Sequence, residues 1–150
     1  MREHKLKLVK VPNFLIVGDH DTLRALLHDW VEMNFPQSHV LQATKREEGI
    51  HVARSMRPEV ILFDCGMDMM YGIEAIQTIK QAKPDVKIVV LSMHENHEYR
   101  VGAMTAGASA YILKCEMGAR LMSVLRDLLS HDPGFSEQDA EKGRSEVEAV

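Results

Sequence analysis

The sequence has few of the features that mark secreted, membrane or nucleic-acid-binding proteins. Cysteine occurs only twice, at Cys65 and Cys115, which is too few for a disulfide framework and typical of a reducing compartment. No apolar run approaches the roughly 18 residues of a membrane span, and the N-terminus has no apolar signal core. The formal net charge of -4 argues against non-specific binding of nucleic acid by the chain. These absences predict a cytoplasmic protein without membrane or direct nucleic-acid contacts.

The charge is distributed unevenly along the chain. Residues 1–12 carry four basic residues against one acid, and residues 132–150 carry six acids against two basic residues. The C-terminal segment is polar and contains proline and glycine, which is typical of a tail or of the start of a linker. We therefore expect a basic extension over 1–12, a single domain over 13–131, and a polar tail or linker over 132–150.

Short apolar runs alternate with segments of helical periodicity. The predicted strands are Phe14–Val17, His39–Ala43, Val60–Phe63, Lys87–Leu91 and Ala110–Leu113. The predicted helices are Leu23–Met33, Glu47–Met56, Ile73–Gln81, Glu95–Ala106 and Gly118–Leu129. Strands that alternate with helices of this length predict βαβ units and a parallel sheet. The runs VILF and IVVL are apolar throughout, which indicates strands that are covered on both faces.

Residues suited to chemistry stand at the ends of four predicted strands. Gly18 and Asp19 follow the first strand, and Asp64, Ser92 and Lys114 follow the third, fourth and fifth. Each polar residue alone is more common as a helix cap, a turn residue or a surface lysine. In open parallel sheets, however, the site lies outside the carboxyl ends of the strands. We therefore expect two carboxylates, a hydroxyl and an ammonium group to meet in one crevice.

This set of groups suits the transfer of a phosphoryl group to a carboxylate. Two carboxylates ~4 Å apart repel each other by about 4 kcal/mol at an effective dielectric constant of about 20. Mg²⁺ would cancel that repulsion, because it prefers carboxylates, waters and phosphate oxygens. A phosphoryl group on Asp64 would carry a charge of roughly -1.5 to -2, which Lys114 would partly neutralise while Ser92 donated a hydrogen bond. The pattern predicts a phosphoacceptor carboxylate.

Four stretches of the sequence resemble the response-regulator receiver domain of bacterial two-component signalling, namely FLIVGDHDTLR, PEVILFDCGMDMMYGIEAI, PDVKIVVLSMHE and AGASAYILK. The resemblance covers about residues 13–130 and is nearest to the NarL/FixJ/LuxR-type branch, which often carries a DNA-binding output. It implies a flavodoxin-like (βα)5 fold, a doubly wound parallel sheet with strand order 2-1-3-4-5. The implied partners are a histidine kinase and either a second copy of the chain or an output domain or protein.

The resemblance also implies a metal site and a phosphoacceptor. Asp64 matches the aspartate that accepts the phosphoryl group in a Mg²⁺-dependent reaction. Asp19 and Asp64 match metal ligands, and Gly66 matches the position that supplies a backbone carbonyl to the metal. Lys114 matches the family's lysine beside the phosphoryl group. The implied class is a phosphoacceptor signalling domain, not an enzyme acting on other substrates.

A second group of residues matches the family's switch. Ser92 matches the switch hydroxyl and Tyr111 the aromatic residue that changes rotamer on activation. The surface that would change is the fourth helix, the fifth strand and the fifth helix, about Glu95 to Leu129. His94 matches a position that borders the phosphoryl group and tunes its hydrolysis, although an exposed loop histidine explains it equally well.

Three positions depart from the family pattern. Gly18 stands where the family has the first of two acids, Asp68 where it usually has proline, and Cys115 where it has proline or an acid. Gly18 predicts a weaker metal affinity, with Asp19 remaining as the direct ligand. Asp68 either restores negative charge near the site or is a solvated loop acid.

Two alternatives stay open. The first is a phosphorylation-independent, receiver-like interaction module, because the acid pair is reduced to Gly18-Asp19. The second is a small haloacid-dehalogenase-like phosphatase with Asp19 as nucleophile, because DHDTL resembles the signature of that class. The signature would need one more residue before Thr22, and Asp64 would lack a partner acid.

Overall fold

The computed structural model describes residues 12–66 and 68–130. Residues 1–11 of the predicted extension and the predicted tail over 132–150 lie outside the described residues. Within the described part, the strands are β1 (Asn13–Val17), β2 (His39–Ala43), β3 (Val60–Asp64), β4 (Lys87–Ser92) and β5 (Ala110–Leu113). The helices are α1 (Asp21–Asn34), α2 (Arg46–Met56), α3 (Met69–Ala82), α4 (His97–Ala106) and α5 (Met117–Ser130), with a 3-10 turn over Lys114–Glu116 before α5.

The five strands form one parallel sheet in the order β2-β1-β3-β4-β5, as predicted. The register places Val17 beside Ala43 of β2 and Phe63 of β3, and Asp64 beside Leu91 of β4. All carboxyl ends therefore lie at one edge of the sheet. The chain proceeds from β1 to β2 on one side and from β3 to β5 on the other, so the direction of strand addition reverses between β1 and β3. This reversal opens a crevice at that edge.

Helices cover both faces of the sheet, which explains the continuous apolar runs. Leu15 packs in a core with residues of α2, α3 and α4, whereas Phe14 packs in a core with residues of α1 and α5. All five residues of β3 are buried. Burial of each large aliphatic side chain contributes about 1.5–3 kcal/mol, so these two layers hold the strand ends in place. None of the helices in the described part is long and apolar enough to cross a membrane.

Helix α3 begins at Met69, four residues before the predicted start at Ile73. The carboxylate of Asp68 accepts a hydrogen bond from the backbone N–H of Tyr71 at 3.2 Å. This N-cap satisfies one of the unpaired donors of the first turn. Asp68 therefore has a structural use in addition to its place near the site, which hydrophobic spacing alone does not reveal.

Two other helix starts also differ from the prediction because of polar caps. Helix α1 begins at Asp21, where the imidazole Nδ1 of His20 accepts a hydrogen bond from the N–H of Leu23 at 3.1 Å. Helix α4 begins at His97, two residues later than predicted, behind the N-cap Asn96. The residue that caps α1 is thus the histidine between the two acids, not either acid.

Candidate functional site

An open cavity of about 460 Å³ lies at the carboxyl edge of β1, β2 and β3. The residues that line it include Gly18, Asp19, Thr44, Lys45, Arg46, Asp64, Gly66 and Asp68. Four predicted site residues, from the end of β3 and the loops after β1 and β3, therefore meet here. The residues after β2 were not predicted, although Thr44 and Lys45 carry a hydroxyl and an ammonium group like those at the ends of β4 and β5.

Asp64 and Ser92 are the last residues of β3 and β4, one position earlier than the predicted placement just past the strands. The carboxylate of Asp64 is 4% exposed, and the ammonium Nζ of Lys114 lies 2.6 Å from its Oδ1. That oxygen has this ion pair but no hydrogen bond from the described residues. The structure thus brings the predicted phosphoacceptor and the predicted lysine into direct contact.

Gly18 is buried beside Asp64. A Cβ atom placed on Gly18 would lie 2.8 Å from the Cβ of Asp64 and 3.1 Å from its Oδ2. The backbone N–H of Gly18 donates to the carbonyl of Ala43 at 3.0 Å, and its own carbonyl accepts from Arg24 Nη1 at 2.8 Å. The glycine therefore gives the strand end a close approach to Asp64 that a side chain would block.

The cavity contains a donor set that fits Mg²⁺. Asp19 is exposed, and one of its carboxylate oxygens lies 3.9 Å from the Cβ position of Gly66. Asp19, Asp64 and Gly66 all line the same cavity, and carboxylate and carbonyl oxygens are ligands that this hard cation prefers. The residues present therefore fit the metal, although with one carboxylate fewer than the resemblance implies.

The predicted switch residues form a separate, connected group. The hydroxyl of Ser92 is fully buried, accepts from the N–H of His94 at 3.1 Å and lies 3.3 Å from the His94 carbonyl. The hydroxyl of Tyr111, also buried, donates to the same carbonyl at 2.9 Å. Ser92 is thus directed at its own loop, and the His94 backbone links it to Tyr111. The imidazole of His94 takes no part in this link.

Arg100 holds this switch group from α4. Its guanidinium carbon lies 4.7 Å from the centroid of the Tyr111 ring, and Nη1 donates to the Tyr111 carbonyl at 3.3 Å. Nη2 pairs with Glu95 at 3.1 Å. A cation stacked on an aromatic ring contributes about 0.5–1 kcal/mol at an exposed site. No short-range pattern marks this arginine, because its partners lie on β5 and in the loop before its helix.

The two cysteines near the site differ in environment. Cys65 is buried, whereas Cys115 is exposed. Burial, reinforced by the negative charge of Asp64, raises the pKa of the Cys65 thiol to about 12. Cys65 therefore remains a neutral, packed thiol at physiological pH. Its sulfur lies 2.7 Å from the position a Cβ would take on Gly72, so it fills the space against α3.

The fold and the strand-end residues define a receiver-type signalling domain, and the comparison with known families agrees. The model of the response regulator receiver domain matches residues 14–126, and the chain belongs to this family. That family describes a signalling domain and indicates no enzymatic class.

The relatives include a transcriptional regulatory protein and a nitrate/nitrite response regulator. The transcriptional regulatory protein DegU of Brevibacillus brevis is 32% identical over 119 residues, which are 79% of this chain and 48% of that protein. The nitrate/nitrite response regulator protein NarL of Escherichia coli K12 is 30% identical over 123 residues, 82% of this chain and 57% of that protein. The chain thus spans about half the length of these relatives.

Solved structures show the same fold. A LuxR-family two-component response regulator from Aurantimonas sp. SI85-9A1 superposes with a TM-score of 0.72 at 23% identity, covering 94% of this chain and all of that one. The predicted fold and the predicted receiver-domain family are therefore confirmed.

Proposed function

We propose that this chain is the phosphorylation-controlled receiver of a two-component system, in which Asp64 accepts a phosphoryl group from a histidine kinase. The observation that carries this proposal is the position of Asp64. It is a buried carboxylate at the end of the central strand, opens onto a polar cavity, and has the ammonium group of Lys114 at 2.6 Å. A carboxylate placed in this way is a nucleophile with its counter-charge already in place.

The reaction transfers a phosphoryl group from a phosphohistidine to the carboxylate of Asp64. A carboxylate oxygen of Asp64 attacks phosphorus, the bond from phosphorus to the donor histidine nitrogen breaks, and the nitrogen keeps the electron pair. The product is an acyl phosphate on Asp64. Lys114 neutralises part of the added charge of roughly -1.5 to -2. We expect hydrolysis of the acyl phosphate to reset the chain, and we propose that His94 affects its rate.

Asp19, Asp64 and the backbone carbonyl of Gly66 are the residues that would hold Mg²⁺. When bound, the cation stabilises negative charge on the phosphoryl oxygens. With Gly18 in place of an acid, the site offers two carboxylates. We therefore propose a magnesium requirement with a weaker affinity than an additional acid would give.

Phosphorylation is proposed to act on the link between Ser92 and Tyr111. A phosphoryl oxygen at Asp64 would accept from the Ser92 hydroxyl, which would then leave the His94 backbone. The His94 carbonyl would then no longer be held in place, and its hydrogen bond from the Tyr111 hydroxyl, now 2.9 Å long, would weaken. The surface of α4, β5 and α5 would change as a result, and a second copy or an output domain of a regulator would read that change.

The two alternatives make different predictions for the same experiment. We propose incubation with Mg²⁺ and acetyl phosphate, followed by a phosphate-affinity gel, for the wild type, Asp64→Ala and Asp19→Asn. An Asp64-dependent shift supports the receiver function. A shift that Asp19→Asn abolishes and a second substitution, Asp64→Asn, leaves intact would support the phosphatase reading. The absence of any shift in the wild type would support the phosphorylation-independent module.

A further inference from the structure

The loop between β2 and α2 and the first residue of α2 bring positive charge to the cavity. Thr44, Lys45 and Arg46 line the cavity together with Asp64. None of the predicted site residues belongs to this loop, and neither the proposed metal site nor the switch uses it. Its two basic side chains face a site that would receive a highly charged anion.

Arg46 is held in place on two sides. Its guanidinium carbon lies 3.9 Å from the centroid of the Tyr71 ring on α3. Its Nη2 donates to the carboxylate of Glu47 at 2.9 Å. The third contact is missing, because Nη1 is buried and has no hydrogen-bond partner among the described residues. A buried donor of a charged group without an acceptor is costly, and a small in-plane shift of the guanidinium that let a ligand supply the acceptor would remove that cost.

The positive charge that lines the cavity comes from Lys45 and Arg46, next to the end of β2. Gly18 contributes no carboxylate, so the negative groups are Asp19, Asp64 and the helix cap Asp68. A phosphate dianion that approached Asp64 alone would be repelled by these groups. Arg46 offsets part of that repulsion, and the planar guanidinium matches the spacing of two phosphate oxygens.

We propose that Arg46 is a substrate-binding residue that contacts the phosphoryl group of the incoming phosphodonor. This inference rests on the proposed function of Asp64. The ligand is a monosubstituted phosphate dianion, as found in phosphohistidine and in acyl phosphates. Nη1 donates to a non-bridging phosphoryl oxygen while the stack on Tyr71 fixes the plane of the guanidinium. Lys114, in contact with Asp64, and Arg46, in the lining of the cavity, would then both neutralise charge on the phosphoryl group.

The test separates binding of the donor from phosphoryl transfer. Acetylphosphonate, a phosphodonor analogue that cannot transfer its phosphorus group, is titrated in the presence of Mg²⁺ while the backbone amide of Gly66 is followed by NMR. The variants are Arg46→Gln, Arg46→Lys and the matched control Arg54→Gln, an exposed arginine of the same helix. We expect Arg46→Gln to raise the Kd about tenfold, with part of the affinity restored in Arg46→Lys and no change in Arg54→Gln.

The outcomes decide the proposal without reference to catalysis. Equal Kd values for Arg46→Gln and Arg54→Gln would overturn it, as would a wild type that binds no analogue at all. A loss in Arg46→Gln with partial recovery in Arg46→Lys supports it. Acetyl phosphate is supplied to the same samples, so an unmodified wild type with an Arg46-dependent Kd would refute the proposed function and leave the anion site standing. Thermal unfolding of each variant checks that the fold is intact.

Discussion

Gly18 and Asp64 approach so closely that a side chain on the glycine would force neighbouring atoms to shift. A Cβ on Gly18 would lie 2.8 Å from the Cβ of Asp64, an atom whose position is set by the β3 backbone. Rotation of the Asp64 carboxylate would relieve the contact with Oδ2 but not this one. The glycine is therefore both the missing half of an acid pair and a close-packing residue between β1 and β3.

Replacement of Gly18 by alanine is expected to lower the free energy of unfolding by about 1–3 kcal/mol, the usual cost of an overpacked site. The matched control is Gly118→Ala in α5, where an added Cβ meets nothing within 4 Å. That change should stabilise the protein, by up to about 1 kcal/mol, because alanine favours a helix. Urea unfolding measures both. A Gly18→Ala variant as stable as the wild type would contradict the steric interpretation.

Removal of the Lys114 ammonium should leave the buried carboxylate of Asp64 without its counter-charge. We expect Lys114→Met to destabilise the protein by about 1–3 kcal/mol at neutral pH, the cost of an unpaired polar group that retains some access to water. In the double variant Asp64→Asn/Lys114→Met, much of that loss should be recovered, and a double-mutant cycle gives the coupling energy. Strict additivity of the two single changes would show that the 2.6 Å contact does not contribute to stability.

The hydrogen bond from Tyr111 to the His94 carbonyl should contribute measurably to stability. Tyr111→Phe removes only the hydroxyl, so we expect a loss of about 0.5–1.5 kcal/mol. Tyr99→Phe is the control, since the Tyr99 hydroxyl makes no hydrogen bond among the described residues and should change the stability little. Amide hydrogen exchange at His94 should also quicken in Tyr111→Phe, since its loop loses an anchor. Equal effects of the two substitutions would argue against the switch link.

The raised pKa of the Cys65 thiol predicts two kinds of behaviour. At pH 8 an alkylating reagent should modify Cys115 in the native protein and Cys65 only after unfolding. The stability that arises from the neutral buried thiol is fully present below the unfolded pKa of 9.0, and is lost as the pH rises toward about 12. The Cys65→Ala variant should lack this part of the loss of stability at alkaline pH. Rapid native-state labelling of Cys65 would refute the buried position.

Much of the fold could be predicted because periodicity reports burial. The runs VILF and IVVL are apolar at every position, and the structure buries both faces of these strands. The starts of three helices could not be placed from apolar spacing, since His20, Asp68 and Asn96 set them by accepting backbone hydrogen bonds. Polar caps act locally and leave the apolar pattern unchanged.

The site residues that follow a strand could be predicted. Those whose positions depend on contacts with distant side chains could not. Asp64 and Lys114 could be placed together because the carboxyl ends of parallel strands meet at one edge. Arg46 and Arg100 could not be predicted, because the rings that hold them, those of Tyr71 and Tyr111, belong to other elements of the fold. The close packing of Gly18 against Asp64 likewise becomes visible only when the distance between the two residues is known.

The central claim is that Asp64 forms an acyl phosphate, and intact-mass measurement after treatment with acetyl phosphate and Mg²⁺ tests it most directly. The wild type should gain the mass of one phosphoryl group, lose it again in hydroxylamine, and gain none when the metal is chelated. Asp64→Asn should stay unmodified under all conditions. A wild type that gains no mass, or an Asp64→Asn variant that gains the same mass, would contradict the account.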